Sequence, residues 1–599
     1  MEKSKITKSL AVFASVLLII IIGVASFAYF GTFNVNLVNN VAVNINSSSP
    51  GNATFTSNAT QLNLQVPAAN MSFTVANNTV AAKEDTAFLD VTLTGSSNLL
   101  TTCTYDIVYE YDAGSNVYGQ GTTTKTSGAT KEITIEVNGM NGNNHFATET
   151  NFDYANIQSY YDSTNKYYKL VEGATIKSLE STQSVRWKII GRYYNLDVSQ
   201  AQLGGKNFTG KIYAISKGCS SEDGTTVKKG YETILANNGG SASMTTLTST
   251  DFAKDTTASD KEMYKAQDDL GTSYYFRGAV DNNWVKYGKY TKDAYIVMDR
   301  KYNYSLVDSC NGFNFCTKLA SKGDDMYWRI IRINGDNSIR MIYAGTYAPD
   351  ANTKVTLTES GNLDDDGNLI GGQKTAVGNS KFNQNYDSAE YVGYMYTIGE
   401  QHGTSQSSDI KTYLEDWYAN YTDLNKTGTK ITDQIYCNDR TASTSNVSYS
   451  TTNYTTLTSW NSKGTLYFYG ANGRISNDNN PMLTCAVDSD RFTVNKINGK
   501  GNSALTYPIG LITIDEVEMA GNNFNESVKS HYLYTGAHYW TGTPAAFDGD
   551  FSFEYSAMDD SGFSMSDAGI RFAARGVVSL SSESKLLGSG TYNDVYIVS

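Results

Sequence analysis

Everything downstream of residue 30 inherits its surroundings from one segment. Leu10 to Phe30 is apolar apart from Ser15, Gly23 and Ser26, and Lys3, Lys5 and Lys8 precede it against a single Glu2. The next cation is Lys83. Cations ahead of an apolar run and none close behind it orient the N-terminus to the cytoplasm and the rest of the chain to the outside. The run is long enough to cross a hydrocarbon core of roughly 30 Å as a helix. Ser26-Phe27-Ala28 also offers the small residues that a signal-peptidase cut requires. Residues 1–30 therefore read either as a retained transmembrane anchor or as a cleaved signal peptide. Both readings put the bulk of the chain on the extracellular side of the plasma membrane, at the cell surface and held by residues 10–30 if uncut.

Cysteine usage fits that address. Cys103, Cys219, Cys310, Cys316, Cys437 and Cys485 form an even set, which permits up to three disulfides in an oxidising compartment, with many connectivities open on paper. Local spacing favours Cys310–Cys316 as a small closure and Cys437–Cys485 within one module, and Cys103–Cys219 is what remains. No CxxC occurs, so thiol redox chemistry is not indicated. The net charge of −13 comes without a long basic run, which argues against nucleic acid as a partner. With only four His, a metal centre would have to rely on oxygen ligands or on ligands far apart in sequence. No cofactor is implied.

A chain of 599 residues exceeds what one core serves, and its patterning changes along the way. Residues 31–217 hold short alternating segments such as Asn34-Val-Asn-Leu-Val, Ala87-Phe-Leu-Asp-Val-Thr-Leu, Tyr105-Asp-Ile-Val-Tyr-Glu-Tyr and Lys131-Glu-Ile-Thr-Ile-Glu-Val. Period-two apolar positions between Asn/Gly/Ser clusters predict an all-β sandwich, jelly-roll-like. Residues 218–270 are polar and Ser/Thr/Asp-rich, and they read as a linker with one short helix near Lys261–Asp268. Residues 271–599 mix strand and helix signals. Tyr327 to Tyr343 reads as a hairpin about Asn334-Gly335-Asp336 that offers Trp328, Ile330, Ile339 and Met341 to a core. Ile410, Tyr413, Leu414, Trp417 and Tyr421 follow helical spacing behind a Ser407 or Ser408 cap. Thr513-Ile-Asp-Glu516 is a capping box for a helix that stops at Gly521.

Two resemblances follow from these stretches. AVFASVLLIIIIGVASFAYF, ending in Ser26-Phe27-Ala28-Tyr29-Phe30, with the strand-rich sequence behind it, resembles the camelysin and biofilm-fibre-subunit family of Gram-positive bacteria. VRWKIIGRYYNLDVSQAQLGGKNFTGKIYAI looks like the closing strands of related surface proteins. Members of that family are described as proteases or fibre subunits. No HExxH occurs in this chain, so protease activity is not carried over.

The second resemblance covers nearly all of 271–580. GTSYYFRGAVDNNW (271–284), YWRIIRINGDNSIRMIY (327–343), YVGYMY (391–396), YCNDR (436–440), LTYPIGLITIDEVEMAG (505–521), YLYTGAHYWTGTP (532–544) and RFAARGVVSL (571–580) resemble an uncharacterised module. It occurs in surface proteins of gut Gram-positive bacteria and is similar in pattern to C-type-lectin-like and formylglycine-generating-enzyme-like folds. The resemblance implies an α+β module of C-type-lectin-like topology, with residues 286–326 as an insertion. The lectin motifs Glu-Pro-Asn and Trp-Asn-Asp are absent, with Trp540-Thr-Gly-Thr-Pro near the place of the second. Cys437 and Cys485 give no convincing equivalent of the paired catalytic cysteines of the formylglycine enzymes. The expected Gly-Val-Arg-Pro-Val ending is Gly576-Val577-Val578-Ser579 here.

Few constellations carry chemistry. Asn362, Asp364, Asp366 and Asn368 partly fit a calcium loop with alternating oxygen ligands, but Gln373 stands where a bidentate Glu would close it. The same stretch reads more readily as a solvated acidic hairpin, and calcium is the one metal worth testing. His531 and His538, with Glu526, read as surface residues, and Glu516 and Glu518 as solvated on their helix. No GxSxG or other catalytic signature appears. Aromatic residues in polar surroundings, Trp540, Tyr539, Trp417 and Trp460 foremost, suit stacking on sugars or contact with proteins, although a Tyr-rich core and strand faces account for them more simply. The sequence thus leads to an expected non-enzymatic recognition protein that adheres to host or bacterial surface glycans or proteins. The alternative is a structural subunit of a surface or biofilm matrix.

Overall fold

The computed structural model describes residues 43–46, 52–65, 83–95, 99–111, 133–139, 149–150, 161–162, 164, 167–179, 181–193, 207–298, 304–311, 313, 316–347, 349, 374–443, 447–449, 452–454, 467–522, 530–557 and 562–599. The apolar run at 10–30, the strand at 34–38, the acidic stretch 362–368, Trp460 and Glu526 lie outside them. Among the described residues no helix is long and apolar enough to cross a membrane. The fold is mostly β, and the chain divides into two units between Val227 and Lys228.

The first unit consists of two facing sheets. Its strands are β1 (Val43–Asn46), β2 (Asn52–Ser57), β3 (Thr60–Gln65), β4 (Lys83–Thr94), β5 (Leu99–Tyr111), β6 (Ile133–Gly139), β7 (Glu149–Thr150), β8 (Tyr161–Asp162), β9 (Tyr167–Ser178), β10 (Thr182–Tyr193) and β11 (Asn207–Asp223). One sheet runs β1-β2-β4-β10-β6-β7 and the other β3-β11-β5-β9-β8. Along β4 the period-two pattern does what alternation predicts: Ala87, Leu89, Val91 and Leu93 point inward. They meet Tyr105, Ile107 and Ile212 of the other sheet in one core. Trp187 of β10 crosses that core and donates its indole N–H to the Tyr105 hydroxyl at 3.0 Å. Charges stay on the outer faces, where Arg186 pairs with Asp90 at 2.9 Å and Arg192 with Glu84 and Glu136. Cys103 and Cys219 are register partners on β5 and β11 and form a disulfide.

The second unit begins at Lys228, so residues 228–270 are not a linker. Helix α1 (Gly230–Asn237) opens it, and sparse apolar residues pin the polar stretch down: Ile234, Met244, Phe252 and Met263 are all buried. The expected helix at Lys261–Asp268 is strand β12, which forms a hairpin with β13 (Gly271–Gly278). Burial of Met263 against the sheet and pairing along its whole length override the helical propensity of this short segment.

The central sheet adds β14 (Trp284–Lys289), β18 (Asp325–Ile333), β19 (Ile339–Tyr343), β21 (Ile431–Thr432), β27 (Val577–Leu580), β28 (Leu586–Leu587) and β29 (Tyr596–Val598). It runs β21-β27-β19-β18-β14-β29-β28, with β13 also pairing with β18. Since β14 belongs to this sheet, the departure expected from 286 starts only after Lys289. It holds a small sheet of β15 (Ala294–Met298), β16 (Tyr304–Val307) and β17 (Cys316–Ala320), with a Cys310–Cys316 disulfide. The hairpin Tyr327–Tyr343 forms as expected, and Trp328, Ile330, Ile339 and Met341 are fully buried.

A further sheet combines β20 (Asn379–Lys381), β22 (Tyr467–Phe468), β23 (Tyr539–Phe547), β24 (Ser552–Ala557), β25 (Phe563–Asp567) and β26 (Arg571–Ala573). Two further helices pack in the unit. In α2 (Asp409–Tyr421), the Ser408 hydroxyl accepts from the Lys411 N–H. In α3 (Ile514–Met519), Thr513 and Glu516 form the capping box, and the helix stops at Gly521, whose φ of 116° favours glycine. Cys437 and Cys485 are bonded as well.

Candidate functional site

The residues of α2 split by helical spacing. Ile410, Leu414, Trp417, Tyr418 and Tyr421 face the core, while Asp409, Thr412, Tyr413 and Asp416 form the opposite stripe. That stripe is one wall of a cleft of about 380 Å³. Ser380 and Lys381 of β20, Gln384 just beyond it and Arg571 of β26 form the facing wall. Lys381 and Arg571 are register partners, so two cations stand side by side. Ser305 and Leu306 of β16 close one end, which brings the chain segment after β14 into the site.

The frame is anchored from behind. Tyr413 donates its hydroxyl to the Val377 carbonyl at 2.9 Å, which fixes its half-buried ring at the wall. Asp409 accepts from the Gln384 backbone N–H, tying helix to strand extension. Asp416 accepts from the Asn420 amide at 2.7 Å. Two carboxylates therefore face two cations. The volume lies within the roughly 300–1,000 Å³ of small-molecule sites.

Of the aromatics expected to meet ligand, three belong to the core. Trp540 and Trp417 are 0% exposed and Tyr539 is 2% exposed. Every position of β23 is covered on both faces, so a polar sequence neighbourhood does not mean a wet ring. Trp417 packs edge-on against Tyr343 and donates its indole N–H to Tyr290 at 3.0 Å. Trp540 acts at one remove from the cleft. It packs between Phe382 and Phe572 and donates its N–H to the Ser380 carbonyl at 2.8 Å, setting the floor beneath Lys381.

Charges are buried where the sequence suggested solvation. Glu516 is 3% exposed, and its Oε1 pairs with Arg332 at 2.9 Å and with Arg340 at 2.7 Å. Burial raises its pKa, but the two guanidinium groups outweigh burial and hold it below the usual carboxylate range. Arg332 also reaches Asp268 at 2.6 Å, and Arg474 binds Asp515 and Asp439 at 2.8 and 3.0 Å. The cavity among these groups is about 30 Å³, space for about one water and no larger ligand. Glu518 is buried with neither oxygen hydrogen-bonded, and burial, reinforced by Asp515, pushes its pKa up to about 9. His531 is buried too, with both ring nitrogens unbonded; burial and the charges of Arg277 and Arg575 push it down to about 3. None of these residues lines the cleft. His538 stacks on Phe572, with the ring centres 4.9 Å apart.

Among the described residues no group of three His, Cys, Asp or Glu side chains comes together to hold a metal ion. The cleft residues Lys381, Asp409, Asp416 and Arg571 escape motif reading because they come from separate elements. The only signal for them is the complement of the apolar stripe on α2, which leaves Asp409, Thr412 and Asp416 on the other face. No protein-family profile, no curated protein and no solved structure matches the chain.

Proposed function

We propose that this is an exported cell-surface recognition protein and that the α2 cleft is where it takes its ligand. The first unit is read as a jelly-roll-like sandwich near the membrane, and the second as a lectin-like module displayed outward, without enzymatic activity. Export is supported by the cations ahead of the apolar run and by three disulfides, which persist in oxidising compartments. The observation that carries the reading is a cleft of about 380 Å³ lined by side chains that both donate and accept hydrogen bonds. Such a lining suits the hydroxyl-rich surface of a glycan. The test is a glycan array followed by titration with the whole exported chain and its Lys381→Ala variant. Losing a charge-assisted hydrogen bond should weaken binding about ten-fold or more with the melting temperature unchanged. Equal binding by both proteins removes the cleft from the reading.

A structural role is favoured by one observation in the first unit. Among the described residues, β1 and β3 each pair on one side only, leaving strand edges that template further pairing. Fibres seen by electron microscopy of the purified chain, without glycan binding, would establish the matrix-subunit alternative instead.

A further inference from the structure

Two chain segments leave the cleft side by side, and two exposed apolar side chains, Ile570 and Phe551, lie on or beside them. One runs from Lys381 through Gln384 to Tyr386; the other runs back from Arg571 through Ile570 and Gly569. Ile570 is 45% exposed, one residue from the cleft, and Phe551 is 43% exposed. The Tyr386 and Phe551 rings pack together at 5.6 Å with a tilt of 30° and form one small aromatic platform. The platform is held rigidly. Asp548 accepts from the Asp550 and Phe551 N–H groups at 2.9 and 2.6 Å, and Asp567 accepts from Gly569 at 2.7 Å. Tyr386 lies directly over Gly569, where a Cβ would fall 2.6 Å from its ring, so only glycine lets it lie there. Backbone bonds tie the two segments together, from the Asn383 N–H to the Ala568 carbonyl at 3.0 Å and from Ser552 to Tyr386 at 2.8 Å.

Resting on the reading of the cleft as the ligand site, we propose that Tyr386, Phe551 and Ile570 form a second subsite continuous with it and that the ligand is a neutral oligosaccharide. The charges select the class. Lys381 and Arg571 are balanced by Asp409 and Asp416, so a strongly anionic or cationic ligand gains nothing net, while hydroxyl groups find both donors and acceptors. The platform supplies what a sugar ring needs next: an exposed aromatic and apolar surface for its C–H groups, tied down by these hydrogen bonds before binding. One ring sits in the cleft and a following ring lies on the platform.

The test is calorimetric titration of the whole exported chain with neutral hexoses and with cello-, malto- and manno-oligosaccharides of increasing length. Affinity is expected to rise on going from a monosaccharide to a tetrasaccharide. Phe551→Ala should lower tetrasaccharide affinity about three- to ten-fold and leave the monosaccharide unaffected. Ile570→Ser is the second variant, and melting curves of both should match the parent. Lys381→Ala should weaken every length. Length-dependent binding that ignores both platform variants overturns the second subsite and leaves the cleft standing. An acidic peptide that binds where no neutral saccharide does overturns the ligand class. Absence of binding by any of these probes overturns the subsite together with the reading it rests on.

Discussion

The two units solve the burial of strands in opposite ways. In the first, the sheet of β4 and β10 keeps its charges, such as Arg186, Arg192 and Asp90, on the face away from the core, partly in water, and only a small patch around Val108 covers the outer face of the other sheet. In the second, strands such as β18 and β23 are buried at every position, and arginines lie inside: Arg340 is 1% exposed and Arg440 0%. The buried guanidinium groups of Arg332, Arg340 and Arg440 meet carboxylates of Asp268, Glu516 and Asp490, and those of Arg329 and Arg575 meet amide and backbone oxygens instead. An apolar sandwich core tolerates variation in its outer charges. A core that holds ions depends on every partner.

The sharpest way to break this contrast is to remove one partner from each unit. Glu516→Ala leaves Arg340 and part of Arg332 as uncompensated buried charge, which should destabilise the second unit by about 3–5 kcal/mol. Glu84→Ala in the first unit removes a half-exposed partner of Arg192 and should cost no more than about 1 kcal/mol. Scanning calorimetry of the whole chain should show one transition moved to lower temperature in the first variant and little change in the second. Comparable losses in both variants would dissolve the distinction.

The same contrast explains what could be read from sequence. Alternation located the strands of the first unit, because period two is visible when one face is wet: Ala87, Leu89, Val91 and Leu93 went inward as expected. The hairpin at Tyr327–Tyr343, the α2 stripe and the Thr513 capping box were legible for similar local reasons. Local reasoning failed where tertiary cover decides. Trp540 and Tyr539 stand among Thr, Gly and His in sequence, yet a second layer covers them. Glu516 and Glu518 looked solvated because their guanidinium and backbone neighbours come from Arg277, Arg332 and Arg340, far away in the chain. The cleft was invisible for the same reason, since its four charged residues meet only through β20, α2 and β26.

The disulfides extend the comparison at a smaller scale. Cys103–Cys219 links neighbouring strands across a separation of 116 residues, whereas Cys310–Cys316 spans 6. A cross-link constrains the unfolded chain more as the closed loop lengthens. Replacing Cys103 and Cys219 with Ala should cost the first unit about 2–4 kcal/mol, and replacing Cys310 and Cys316 should cost the second about 2 kcal/mol or less. Denaturant titration of the two double variants checks the order. A larger loss from the short loop would mean that native contacts around the bond outweigh loop entropy.

The smallest expected effect is the one that isolates the ionic interior, because it changes only proton counts. Below pH 4.5 Glu518 is protonated both folded and unfolded. Between there and about 9 the folded second unit keeps a proton that the unfolded chain releases, so stability falls as pH rises. Glu554, pushed well above its ordinary value by burial, adds to that fall. His531 works in the other direction: the unfolded chain takes up a proton below 6.5, while the folded unit resists until about 3, so its contribution is present above 6.5 and fades toward 3. Together the three groups put the stability maximum of the second unit on the acid side of neutrality and make it decline from pH 6.5 to 9. Glu518→Gln should flatten the alkaline decline, gaining about 1–2 kcal/mol near pH 8 for removing a carboxyl that burial disfavours as an ion. Denaturant midpoints measured from pH 4 to 9 decide the matter. An alkaline slope that is the same in the parent and in the E518Q variant would show that water reaches Glu518 and that the interior is not the sealed ionic core its geometry describes.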